Sequence, residues 1–503
     1  MFDLDFLIRS PSEFVDFLAQ NIDNEGDFGI NRCLLECYKQ NNNCFDGLDQ
    51  VSTMSDYMEI IPGKLTKFRC CLAADVATEY FPLRVFSEGK YHTPFLNGSI
   101  PEDIYEQIPI MSERRIILAF SVHSMASWMR KEILPKKNDP HLAESESNNP
   151  EIDSDDSMLA NIKVAFDYNV KPFHIVDVIG VFENLPEHDI SSDTFFHHDG
   201  FSSSLPTFIG LCIIPIRANI PYQMTYNTRD VYQGVFSFFN QYFGLMQTEM
   251  LMLWLAGRVT HRIGEIPFGL FSLNLFGVSC DNANSIYSIL ESVCSYIAKV
   301  NLNVASFNRQ SLKPKVIQND IHNTVFLSPT ETRYIVDETS LDVGNFNEVG
   351  TENLNLIKKL MDDQSLSYYI EKADYEIPVS CPVLSLSISR SVLKCQVSIP
   401  LGETKEIPDS NSIADLDIIR HYIERIRFHE ANPSETNGSI MHERLISIMN
   451  ECVISQESLQ LLYLLALLKA CLVGENDISE EIWETTVNLF MFIEDSKSTN
   501  IVK

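Results

Sequence analysis

Basic residues are scarce in this 503-residue chain: Lys and Arg number 38 against 69 Asp and Glu, a formal charge of −31. That balance disfavours tight non-specific nucleic-acid binding, which depends on cations that neutralise phosphates. It suits a soluble protein that meets basic partners or other proteins. Paired cysteines are missing as well. The 12 cysteines include no CxxC pair and no zinc-finger spacing, so they read as reduced, mostly buried thiols of a cytosolic or nuclear protein. Cys33 and Cys37 lie one helical turn apart, but with only Cys44 nearby they read as packing or solvent-facing residues rather than a zinc site. The opening MFDLDFLIRS carries acids where a signal peptide needs a positive stretch. No uncharged apolar run is long enough for a bilayer: Leu459 to Val473 holds Gln460 and Lys469 and reads as a buried helix. GxSxG is absent, and no Ser/His/Asp or Cys/His set stands out.

What is present fits a chain that buries real cores. Apolar residues make up 45% and charged residues 21%, and roughly 150 residues per domain gives about three domains. Ser10-Pro11-Ser12-Glu13 predicts a helix start, with a cap, a Pro at the first helical position and a Glu reaching back. That helix should end near Gln20, and a second should cover Cys33 to Tyr38. Short strands follow at Lys67–Leu72, Phe81–Phe86, Arg115–Phe120, Ile162–Phe166, Phe173–Phe182 and Phe208–Ile216. They predict one small β-barrel of OB type.

Residues 138–160 interrupt that barrel with seven acidic residues, four serines and no Lys, Arg or aromatic. They read as a disordered acidic spacer and, through Ser154 before Asp155-Asp156, as a candidate kinase target. The turn-rich patch Pro186–Pro206 holds His188, His197, His198 and Asp199. Adjacent histidines rarely point at one ion, so the patch reads as a polar loop. Phe195-Phe196 in the same patch reads as buried packing.

From 240 to 400 helices alternate with strands, as in an α/β layer fold. Met246–Val259 and the run Ile286, Ile289, Leu290, Val293, Ile297, Val300 keep helical spacing. Phe271–Leu275, Tyr334–Val336 and Leu384–Ser389 read as strands, and the chain after 405 reads as helical.

A nucleotide site of the P-loop kind needs glycines for close backbone approach, a Lys for phosphate charge and a Ser/Thr for magnesium. It also needs an acid at the end of a buried strand. Phe243-Gly244-Leu245-Met246-Gln247-Thr248-Glu249 enters a helix where such a loop is expected, but the second Gly, the Lys and the Ser/Thr are missing. Glu249 falls where the Lys belongs. A like charge about 4 Å from a phosphate oxygen costs on the order of 4 kcal/mol at an effective dielectric near 20. Asp337-Glu338 ends the apolar strand Tyr334-Ile335-Val336. With no Lys upstream, both acids are expected to face water or a helix N-terminus and to contribute little.

These segments resemble the MCM-binding protein family. The resemblance rests on Lys67-Phe68-Arg69-Cys70, Val164–Asp167, Asp177–Val181, EMLMLWLAGRVTHRIGEIPFGLFSLNL (249–275), YIVDETSLDV (334–343) and Tyr375–Leu401. It covers most of 60–400 and fades in the N-terminal helices and after 405.

The resemblance implies an α+β multidomain protein in which an OB-like β-barrel region precedes a degenerate AAA+-like α/β core and a C-terminal helical region. The corresponding divisions are 1–50 helical, 51–220 OB-like with the insert at 136–160, 221–404 AAA+-like and 405–503 helical. It further implies a nuclear protein, with the cytoplasm open as a second location, that binds subunits of the MCM replicative helicase. Such a protein would regulate the helicase's assembly, stability or removal from chromatin without catalysis, cofactor, metal, membrane or strong nucleic-acid binding. The alternatives are a weak AAA+-type ATPase using Asp337 and Glu338, or a single-strand DNA binder acting through the barrel.

Overall fold

A computed structural model describes the chain apart from residues 1–2, 22–25, 97–106, 123–125, 127, 130–157, 169, 171–173, 184–204, 217–227, 318–319, 323–324, 371–372, 403–415, 430, 432–442, 447–454 and 501–503. The architecture is mixed α and β, with several sheets. The first comprises β1 (Gln50–Val51), β2 (Thr66–Ser87), β3 (Lys90–His92), β4 (Ile110–Phe120), β5 (Leu159–Val164), β6 (Ile175–Phe182) and β7 (Thr207–Pro215). Its strands run β2-β4-β5-β7-β6, and β6 returns to pair with β2. The ring therefore closes on itself. Only β5–β7 in this ring is parallel.

Closure depends on β2, which pairs with β6 over Thr66–Cys71 and with β4 over Cys71–Arg84, its register shifting at three places. Such irregularities bend a strand round a barrel corner. The two separate strands expected at Lys67–Leu72 and Phe81–Phe86 are thus one bent strand. Phe68, Phe182 and Phe208 meet ring to ring inside the ring. At Gly180 a Cβ would lie 2.0 Å from the carbonyl oxygen of Ile209, so only glycine fits where β6 and β7 shift register.

The expected helix forms as Pro11–Asn21, preceded by a short helix Leu4–Arg9 that Ser10 closes through its N–H to Phe6 O. With helix Ile30–Gln40 these pack Leu7, Phe14, Leu18 and Leu34 against Ile179, Val181, Ile209 and Leu211. β6 is consequently buried on both faces, which is why its sequence is a continuous apolar run. The acidic insert lies outside the described residues up to 157. Its last three residues, Met158 to Ala160, are buried and lead into β5, so the packed chain resumes earlier than composition indicated.

The second layer is a parallel sheet. After the hairpin β8 (His261–Ile263) and β9 (Ile266–Phe268) come β10 (Leu273–Phe276), β11 (Ile297–Asn301), β12 (Lys315–Ile317), β13 (Asp320–His322), β14 (Arg333–Asp337), β15 (Ser365–Ile370), β16 (Ala373–Pro378), β17 (Val383–Ser387) and β18 (Val397–Pro400). Five of these are ordered β11-β14-β17-β10-β18, every pairing parallel. A smaller sheet has the order β13-β12-β15-β16.

The single helix expected from Ile286 to Val300 is not found. Helix Cys280–Val293 stops there, and Ile297 and Val300 lie on β11. Alternating apolar residues of a buried strand happened to continue the helical spacing across the junction.

On one face of the sheet lie helices Thr228–Asn240, Leu245–Ala256, Leu416–Phe428, Gln456–Val473 and Glu480–Asn500, sharing one core with it. Gln456–Val473 is long and apolar enough to cross a membrane, yet more than half of it is buried in this bundle. On the other face Val300, Val336 and Leu360 share a core with the barrel residues Cys71, Leu118, Phe120 and Leu159.

Candidate functional site

In open parallel sheets ligands bind at the carboxyl ends of the strands, where strand order reverses. Here that edge is formed by the ends of β10, β14 and β17. Only three residues, Gly277-Val278-Ser279, join β10 to helix Cys280–Val293. A phosphate-cradling loop needs about eight, with its N–H groups free. These are not free. Gly277 N–H donates to Ile388 O (3.1 Å) and Val278 N–H to Ser387 O (3.0 Å). Asn282 N–H donates to the capping Ser279 Oγ (3.3 Å). Gly277 has φ +82°, which the tight turn requires of it. Where a phosphate-binding Lys would stand in the first helical turn there is Ala283, fully buried.

Asp337 and Glu338 end β14 two strands away, and both are buried, at 6% and 5% exposure. The expectation that they face water or a helix N-terminus is therefore corrected. Asp337 pairs with Lys299 Nζ (2.8 Å) and accepts from Thr339 N–H (2.9 Å) and Thr339 Oγ1 (2.6 Å). Burial alone would raise its pKa, but the hydrogen bonds from Lys299 and Thr339, with the Lys299 charge, hold it below the ordinary value. Glu338 accepts from Ser385 Oγ (2.6 Å), Ser391 Oγ (2.5 Å) and Val392 N–H (2.8 Å). The pair ties β11 to β14, and β14 to β17 and the loop that follows it. Little acceptor capacity is left for a hydrated magnesium ion.

Gly244 and Glu249 are not part of this edge. Gly244 caps helix Leu245–Ala256 and follows helix Thr228–Asn240, so no strand leads into it and the strand–loop–helix unit expected there is absent. That unit is at β10 instead, where Leu273–Phe276, then Gly277, then a capping Ser279 marked it in the sequence. Glu249 pairs with Lys469 of helix Gln456–Val473 and accepts from Tyr232 OH (3.1 Å), while Lys469 Nζ also donates to Tyr232 OH (2.6 Å). The acid expected to repel phosphate is an interhelical link.

His188, His197, His198, Asp199 and the Phe195-Phe196 pair lie outside the described residues. Among the described residues no three His, Cys, Asp or Glu side chains are arranged to hold a metal ion. On the barrel, Arg69 makes a bidentate pair with Asp177 (2.8 Å for both bonds). Arg114 pairs with Glu79 (3.0 Å), Lys163 with Glu79 and Glu183, and Arg115 with Asp167. A phosphate backbone approaching these strands would compete with carboxylates already in contact.

The profile of the Mini-chromosome maintenance replisome factor family matches residues 223–491. The match runs through the C-terminal helices, beyond the segments that carry the resemblance, and leaves out the barrel. A Schizosaccharomyces pombe protein named only as a UPF0616 protein is 22% identical over 253 residues, 50% of this chain and 48% of its own length. The Mini-chromosome maintenance complex-binding protein of Arabidopsis thaliana is 24% identical over 257 residues, 48% of this chain and 42% of its own. The protein of the same name from Salmo salar is 27% identical over 159 residues, 31% of this chain and 25% of its own. The matched stretch thus spans less than half the length of each relative.

Proposed function

The chain belongs to the Mini-chromosome maintenance replisome factor family, and from that premise we propose that it is a non-enzymatic binder of MCM helicase subunits. It would act in the nucleus and influence assembly, stability or removal of the helicase. The relatives' printed names support the choice of partner. The order β11-β14-β17-β10-β18 with all strands parallel supports reading residues 221–404 as an AAA+-like core. The closed ring with its single parallel pair supports reading the barrel as OB-like.

One observation carries the non-enzymatic reading: the backbone donors at Gly277 and Val278 are already bonded to the end of β17. An outline kept without its nucleotide loop fits a protein that takes the place of a ring subunit. Ring subunits meet through heterologous faces, and a mimic can fill one such face without turnover.

Calorimetric titration of the full chain with magnesium-ATP, up to about millimolar, is expected to show no saturable heat, since the Gly277 and Val278 N–H groups are already bonded. A micromolar dissociation constant would instead favour the ATPase reading. Gel filtration of the chain mixed with purified MCM subunits tests the binding itself, and co-elution without nucleotide is the expected result.

A further inference from the structure

We propose that the β8–β9 hairpin is a docking element whose tip, Ile263 and Ile266, enters an apolar socket rimmed by lysine or arginine on the bound MCM subunit. The inference rests on the proposed MCM binding and adds the surface that performs it.

The hairpin is patterned the wrong way round for a segment that only covers its own protein. Residues directly opposite in an antiparallel ladder share a face. One face pairs Arg262 with Pro267 and is turned inward. Arg262 Nη1 donates to Asp363 O (2.8 Å) and Nη2 to Gln364 O (2.7 Å), at the end of helix Glu348–Asp363. The other face pairs His261 with Phe268 and Ile263 with Ile266. The His261 and Phe268 rings lie 4.9 Å apart. Ile263 and Ile266 are 69% and 72% exposed. Phe268 packs against the main core at the root of the hairpin, so the inversion is confined to the tip, where Arg262 turns in and the two isoleucines turn out.

The tip is also rigid. A two-stranded hairpin is marginal alone, but Arg262 grips the body at one side and bonds Glu265 O across the turn (3.2 Å). Val259 N–H donates to Ser380 Oγ (2.8 Å) at its root. An apolar tip held ready in this way loses little conformational freedom on binding.

Charge selects the socket. Glu265 in the turn and Asp362 and Asp363 at the helix end gripped by Arg262 are exposed carboxylates, set against Arg262 and Lys358. Arg262 keeps its charge while its donors bond backbone carbonyls, so these three carboxylates outnumber the two cations by one. A chain of net charge −31 favours a basic rim at long range too.

The test is calorimetric titration of purified MCM subunits with the full chain, wild type against Ile263→Ser/Ile266→Ser. Both isoleucines are exposed, so an unchanged melting temperature verifies the fold of the variant. The expected result is an affinity weaker by at least about tenfold, as for truncation of a central apolar anchor. Wild-type affinity should also fall as salt rises from about 0.05 to about 0.3 M. Equal affinity of variant and wild type would overturn the hairpin while leaving MCM binding in place. A salt-independent affinity would overturn the basic rim. No binding by wild type would remove the MCM reading and the docking site with it.

Discussion

Replacing Asp337 and Glu338 together by alanine is expected to bring the protein to the edge of unfolding. Lys299 is mostly buried and would keep only its bond to Asn284 (2.7 Å). Leaving a buried charge without its partner costs about 3 kcal/mol. Without Glu338, the Ser385 hydroxyl, the Ser391 hydroxyl and the Val392 N–H lose their acceptor. Of these three residues only Ser385 is fully buried, and an unsatisfied donor there costs about 1–3 kcal/mol. The sum, roughly 5 kcal/mol, rivals the whole stability of a marginal domain. Denaturant unfolding should show the midpoint collapse, with Asp337→Asn and Glu338→Gln falling in between. A double alanine variant as stable as wild type would mean that the acids are solvated after all.

The same network gives an acid dependence with a definite sign. Asp337 has its pKa depressed in the fold, below the ordinary 3.8. Its contribution is therefore fully present above 3.8 and is lost as pH falls through the lower, folded value. The stability gap between wild type and Asp337→Asn, measured by denaturation, should narrow only in that acidic range. A gap that closed near neutral pH would contradict the assignment.

Glu249→Ala is expected to destabilise by about 3 kcal/mol, through the helix bundle rather than through any ligand. Lys469 would remain buried with Tyr232 alone, its ammonium 4.7 Å from the centre of that ring. Burial, and then the Glu249 charge, push the Tyr232 pKa up, so its hydroxyl stays a donor. Joint replacement Glu249→Met/Lys469→Met removes both charges from this site, and exchanging a buried ion pair for apolar residues of similar volume is often neutral. Denaturation of wild type, Glu249→Met, Lys469→Met and the double variant should show most of the single-variant loss recovered in the double variant. Additive losses would show that the two residues act separately.

Much of the β framework was legible because buried strands announce themselves locally. Tyr334-Ile335-Val336 followed by Asp337-Glu338 marked the end of β14, and Leu384 to Ser387 alternated as β17 does. What failed was context. Gly244 before an apolar helix looks the same whether a strand or a helix precedes it, and Val231 to Phe239 proved helical. Ile297 and Val300 continued a helical spacing that a buried strand satisfies equally well.

Nor does a local pattern say where a charge goes. Glu249 meets Lys469 across more than 200 residues, and Glu338 meets Ser385 on another strand and Ser391 in the loop after it. Barrel closure is likewise a property of the bent β2, whose register shifts leave no periodic trace.

The most direct measurement is the affinity of the full chain for purified MCM subunits, by calorimetry, first in nucleotide-free buffer and then with saturating magnesium-ATP and the chain in excess. Interfaces of the size shared by ring subunits bury more than roughly 1,600 Å² and can hold without nucleotide. Binding at micromolar affinity or tighter without nucleotide, with no heat traceable to ATP binding by this chain, is the predicted result. Binding that appears only when this chain itself takes up ATP, or no binding at all, would contradict it.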